Sequence, residues 1–178
     1  SRYPELEVSA ANSAAHFRDE LQPFDWTRPG IMLYGATPMI GQSARELRLK
    51  PAMSLESVIT TTRALKTGES VGYGASWRAE RDTLMGIVCI GYGDGYPRHA
   101  PSGTPVWING QRTTTIGRVS MDMLAVDLTG VGDAKVGDTV ELWGANIPVD
   151  EVAAHAGTIG YELLTGVTSR VPRIYNAV

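Results

Sequence analysis

Cysteine is almost missing from this chain: Cys89 is the single one among 178 residues. One thiol closes no internal disulfide, which favours a reducing, cytoplasmic compartment. Histidine is nearly as scarce. His16, His99 and His155 lie far apart, without cysteine or carboxylate at ligand spacing, so no metal site is expected. Neither sign of charge dominates. Lys and Arg number 16 against 19 Asp and Glu, a net charge of −3, which gives no case for nucleic acid or an acidic membrane surface. No apolar run approaches the roughly 18 residues a membrane span needs, and the opening residues do not read as a signal peptide. A G-x-S-x-G elbow and a P-loop are both absent.

What remains is ordinary globular material, 43% hydrophobic and 20% charged, enough for one domain and a fraction of another with a real core. Cys89 sits in the apolar run Met85-Gly86-Ile87-Val88-Cys89-Ile90 and is expected to pack inertly in that core. The chain opens at Ser1, without methionine, directly into folded-looking sequence, which predicts a fragment or a processed product.

Two regions differ in character. In residues 1–46, residues 6–11 read as a strand, and Asn12-Ser13 read as caps of a helix over residues 14–21. Thr27-Arg28-Pro29-Gly30 reads as a turn, followed by a second strand at residues 31–34. Strand, helix, turn and strand make one βα step of a parallel sheet, which needs neighbours. Residues 47–178 are patterned as β structure. Strands are expected at residues 53–65, 83–90, 124–128, 139–143 and 170–175, and a hairpin at 106–116 turns on Asn109-Gly110. Short helices are expected at 149–156 and 161–164. Many short strands separated by turns predict a mainly β fold, a closed β-barrel or compact sandwich.

Chemistry-bearing residues gather on glycine-rich turns: Val71-Gly72-Tyr73-Gly74-Ala75, Gly91-Tyr92-Gly93-Asp94-Gly95-Tyr96-Pro97-Arg98 and Gly117-Arg118-Val119-Ser120-Met121-Asp122-Met123. Glycine lets the backbone turn sharply or approach another group closely, and an arginine accompanies two of the three. The second stretch mimics a dinucleotide fingerprint, but Pro97 and the turn residues around it, with no long helix following, argue against one. Near the start, Gly30 and Ile31 can offer bare N–H groups and Ser13 a hydroxyl, a possible anion cradle, although an ordinary loop and cap explain the same residues.

These stretches, together with Ala11-Asn12-Ser13, Arg28-Pro29-Gly30-Ile31, Tyr34-Gly35 and Arg170-Val171-Pro172-Arg173, stand in the order found in alanine racemases. From about residue 6 to residue 175 the chain resembles the carboxy-terminal half of that family. The resemblance implies a mainly β, closed barrel-like carboxy-terminal domain (47–178), preceded by a short βα remnant (1–46) of an (α/β)8 barrel. It implies pyridoxal 5′-phosphate as cofactor, L- and D-alanine as substrates, and head-to-tail homodimers in which each active site takes its barrel from one subunit and its β-domain from the other. Tyr73 then resembles the catalytic tyrosine and Met121 the residue whose backbone N–H meets the substrate carboxylate. Arg28 resembles the arginine facing the pyridine nitrogen. Asn12, Ser13, Gly30 and Ile31 resemble the cofactor's phosphate-binding segments, and Tyr92, Arg98 and Arg118 the substrate entrance.

Racemisation removes the α-proton from one face and returns a proton to the other, so it needs two bases. A tyrosine, with its ordinary pKa of about 10, serves only where cations favour the phenolate. The family's second base is the lysine that holds the cofactor, in an Ala-x-x-Lys-Ala motif. The lysines here are Lys50, Lys66 and Lys135, none in that context and each reading as solvated surface. The chain alone is therefore expected to be inactive and not to bind the cofactor covalently. Ser169 stands where some members carry a phosphate-binding tyrosine. Two alternatives share these residues: a non-catalytic β-barrel interaction module, and a serine or broad-specificity racemase of the same family.

Overall fold

The computed structural model describes residues 5–18 and 24–175, which fall into two compact units, 1–53 and 54–178. In the first unit, β1 (Ser9–Ala10) pairs in parallel with β2 (Trp26–Thr27). The strand expected over residues 6–11 shrinks to those two residues. The expected helix at 14–21 is a single 3-10 turn, Ala15–Phe17, with residues 19–21 lying outside the described ones.

Residues 31–34 correct the reading more sharply. They form a 3-10 helix, Ile31–Tyr34, where a strand was expected. The Ser13 hydroxyl accepts from the Gly30 N–H (2.7 Å) and the Met32 N–H (3.4 Å), and this curls the chain at its start. Gly35, at φ 83°, ends it.

The second unit is built on a closed six-stranded antiparallel barrel. Its strands are β3 (Leu55–Leu65), β6 (Thr83–Val88), β7 (Pro105–Ile108), β8 (Gln111–Ile116), β9 (Leu124–Asp127) and β10 (Thr139–Trp143). The ring order is β10-β3-β6-β9-β8-β7, closed by pairing of β7 with β10. β-branched residues from Val58 to Thr62 suit β3 to the pleated surface. The interior is filled by Ile59, Val88, Val106, Ile108, Val126, Val140 and Leu142, all essentially inaccessible. Two short helices, α1 (Val149–His155) and α2 (Gly160–Gly166), follow the last strand and bury Val149, Val152 and Leu163.

A small ribbon of β4 (Ser70–Val71) and β5 (Trp77–Arg78) connects β3 to β6. Val71 sits in an apolar cluster with Leu65, Met85, Ile116 and Ala125, against which Trp77 also packs. That cluster anchors the base of the ribbon, whose tip is Gly72–Ser76.

Two further expectations fail. Residues 170–175 form turns and irregular backbone, not a strand, and they have no pairing partner among the described residues. Cys89 is exposed rather than buried. β6 ends at Val88, and side chains alternate there, with Val88 and Ile90 inward and Cys89 outward.

Candidate functional site

One rim of the barrel collects three loops. Val88 pairs with Leu124 and Ile116 with Ala125, so the end of β6, the end of β8 and the start of β9 lie together. The loops are the 72–76 ribbon tip, residues 91–102 after β6, and 117–123 between β8 and β9. They enclose an open depression of about 840 Å3 lined by Tyr73, Tyr92, Arg98, Arg118 and Met121, with Ser76, His99, Ser102 and Ser120 among the rest. Two arginines and a histidine face it, and among the described residues no carboxylate lines it.

Tyr73 crowns the ribbon tip with 74% of its surface exposed. Gly72 takes φ 77° and Ala75 φ 47°, left-handed backbone that turns the phenol out of the ribbon. A side chain at Gly72 would also come 3.3 Å from the Arg118 amide nitrogen, so this tip lies directly on the 117–118 turn. The Tyr73 hydroxyl has no hydrogen-bond partner among the described residues.

The 91–95 turn is pressed against 120–121 backbone to backbone. Tyr92 N–H donates to Ser120 C=O (3.0 Å) and Gly93 N–H to Met121 C=O (2.8 Å). A Cβ at Gly91 would lie 2.3 Å from the Ser120 oxygen, a contact no other residue survives. Ser120 N–H closes its own turn onto Met123 C=O. Met121 N–H is left with no acceptor among the described residues. Arg98 lies over the Tyr92 ring, 5.9 Å from its centre, a cation–π contact that fixes both at the mouth.

Behind the rim, Arg170 donates to Asp122 (2.6 Å) and pairs with Asp94 (3.3 Å). The Asp122 hydrogen bond, then the charge of Asp94, hold its guanidinium pKa above the ordinary value. Deeper still, Tyr96 stacks on Trp143 with ring centres 6.1 Å apart. Burial pushes the Tyr96 phenol pKa upward, and its hydroxyl finds no partner among the described residues.

The first unit holds the other sequence-derived residues. Ser13 is 3% exposed and its Oγ already accepts two N–H groups, leaving its own proton to donate. The expected nest is therefore half used: Gly30 N–H is spent on Ser13, while Ile31 N–H has no acceptor among the described residues. Ser13 does not cap the 3-10 turn; Asn12 does, its Oδ1 accepting from Ala15 N–H (3.1 Å). Arg28 braces β1 by donating to the Ser9 carbonyl and hydroxyl.

Lys50, Lys66 and Lys135 are all exposed, and Lys66 is held by Asp82 at 2.8 Å. Ser169 is exposed on the turn after α2. Sequence reading missed His99, Ser76, Ser102 and Ser120 at the depression. Only their adjacency to Arg98, Arg118 and Met121 in the chain could have signalled them. Among the described residues no cluster of His, Cys, Asp or Glu could hold a metal, and no helix is long and apolar enough to cross a membrane.

Residues 52–175 match the family model for the alanine racemase C-terminal domain, and residues 1–38 match that for the alanine racemase N-terminal domain. The alanine racemase of Marinobacter nauticus is 63% identical over 173 residues, 97% of this chain and 48% of that protein. The crystal structure of biosynthetic alanine racemase from Pseudomonas aeruginosa superposes with a TM-score of 0.91 at 58% identity, over 96% of this chain and 48% of that one. An alanine racemase from Bartonella henselae, solved with covalently bound pyridoxal phosphate, gives 0.85 at 35% identity, over 97% and 48%. The chain thus spans about half the length of the relatives it matches.

Proposed function

Since this chain belongs to the alanine racemase family, covering its carboxy-terminal domain and a piece of the amino-terminal one, we propose that the protein it forms part of interconverts L- and D-alanine. The observation that carries the reading is the convergence of a free phenol, an unspent backbone N–H and two arginines on one carboxylate-free depression. An amino-acid substrate brings an anion, which Arg98 and Arg118 draw in past Tyr92 and which the Met121 N–H can bind. Tyr73 then takes or returns the α-proton on one face. Arg118 backs the turn that carries Tyr73: a Cβ at Gly74 would stand 3.9 Å from its guanidinium nitrogen.

The residues of the first unit fit pyridoxal phosphate. A serine hydroxyl almost wholly buried yet with its proton free, beside the open Ile31 N–H, suits a phosphate oxygen. Arg28, always protonated, would meet the ring nitrogen as a donor and leave it without a proton of its own. When bound, the cofactor supplies an electron-withdrawing ring that acidifies the α-proton. The covalent anchor and second base come from the remainder of the protein, since Lys50, Lys66 and Lys135 are solvated. The complete enzyme is a head-to-tail pair of subunits in the bacterial cytoplasm, making D-alanine for peptidoglycan or consuming it.

The test is a chiral assay of the complete, cofactor-loaded enzyme given L-alanine, D-alanine and L-serine in turn. Rapid interconversion of both alanine enantiomers is expected. No turnover of alanine would sink the proposal, and faster turnover of serine would replace it with the broad-specificity reading.

A further inference from the structure

Met121 N–H is available because of the way one peptide unit is turned. The Ser120 carbonyl and the Met121 N–H belong to the same trans peptide and point in opposite directions. The carbonyl is pulled toward the 91–93 turn by Tyr92 N–H, so the N–H is directed away from it. Whatever holds the 91–95 and 120–123 turns together therefore aims the Met121 N–H.

We propose that Arg170 is the positioning residue for this group, clamping both turns through Asp94 and Asp122. It rests on the reading above that Met121 N–H meets the substrate carboxylate. Arg170 Nη2 donates to Asp122 Oδ1 (2.6 Å), on the residue following Met121. Its Nε pairs with Asp94 Oδ1 at 3.3 Å, while the other oxygen of Asp94 accepts from Gly91 N–H at 2.9 Å. Between these grips the guanidinium lies on the bare backbone of Gly93, where a Cβ would stand 2.5 Å from Nη1.

An isolated surface ion pair of this kind contributes little. A planar fork shared by two carboxylates does more: it neutralises their mutual repulsion and fixes their separation, which the single point charge of lysine cannot do. Arg170 touches none of the reacting atoms in this scheme. Its effect falls on recognition of the carboxylate, before the proton moves.

The experiment uses the complete enzyme carrying Arg170→Lys, Asp122→Asn or both, with propionate as a carboxylate probe that has no transferable α-amino group. Arg170→Lys is expected to raise KM for alanine and the inhibition constant of propionate by about tenfold, the scale of one hydrogen bond to a charged group, while kcat moves far less. Asp122→Asn should shift both in the same direction, and the double variant should fall short of the sum because the two act as one unit. If Arg170→Lys fails to fold, Asp122→Asn carries the same readout. Lower melting temperature and lower kcat with an unchanged propionate constant would make Arg170 merely structural and overturn the proposal. A backbone amide-to-ester replacement at Met121, which removes the N–H and leaves Ser120 with a weaker carbonyl acceptor, separates the two readings. Propionate binding weakened by the ester but not by Arg170→Lys overturns the clamp alone. Propionate binding indifferent to the ester overturns the Met121 reading and the clamp's purpose with it.

Discussion

Tyr73 is held by its backbone and not by its ring. It is 74% exposed and its hydroxyl is unengaged among the described residues, so Tyr73→Phe deletes an acid–base group without opening a cavity. In the complete enzyme the change should cost about 10²–10⁴-fold in rate, the usual loss for a general base. The loss should be lopsided. Exchange of the L-alanine α-proton in deuterated water should collapse, while exchange from D-alanine, which on the proposed mechanism relies on a lysine outside this chain, should survive better; equal loss for both enantiomers would remove Tyr73 from this role. Tyr96 presents the opposite case, a fully buried hydroxyl with no partner among the described residues. Tyr96→Phe keeps the stacking on Trp143 and sheds an unsatisfied polar atom, so it should stabilise the chain by about 1 kcal/mol in urea unfolding. The site residues lie on turns that glycine spacing makes readable, whereas the fate of Cys89 was not. A six-residue apolar run does not say where its strand ends, and Cys89 falls one residue beyond that end.

Local patterns made several elements legible. β10 and α1 begin at residues 139 and 149, where the sequence predicts them, and the hairpin turns on Asn109 and Gly110, both with positive φ (48° and 77°). The misread elements depend on distant groups. Residues 31–34 are four apolar residues with no period to read, and the hydroxyl that curls them comes from Ser13. Residues 170–175 have strand-like composition but pair with no strand among the described residues, and Arg173 is spent on the Val167 carbonyl instead. The hairpin also carries a prediction. Asn109 Nδ2 donates to Asp138 (2.6 Å), the leading cause that holds the Asp138 carboxyl below its ordinary pKa. Asn109→Ala loses that bond and puts a residue less tolerant of positive φ in the turn, where the backbone strain alone costs about 1 kcal/mol. A depressed folded pKa contributes stability above the unfolded value, and that stability is lost as pH falls through the folded one. In the variant the Asp138 titration, followed by NMR, should move up toward an ordinary aspartate, and the loss of stability should be larger at neutral than at acidic pH. An unmoved titration would contradict the assignment.

At the scale of the whole molecule, the chain spans about half the length of the alanine racemases it matches. Pyridoxal phosphate added to it should give no stoichiometric covalent adduct after borohydride reduction and peptide mapping, and neither alanine enantiomer should racemise. An adduct on Lys50, Lys66 or Lys135 would reverse that expectation. The ring order of the barrel has a further consequence. Its first strand, β3, pairs with its last, β10, and β10 alone joins β3 to β7. A chain emerging from the ribosome cannot complete the circle until residue 143 is out, and until then β3 and β7 each carry an unpaired edge. Because the closing contact is among the most distant in sequence, it should set the pace of folding. The newborn protein is therefore most vulnerable to aggregation in the interval before β10 is delivered.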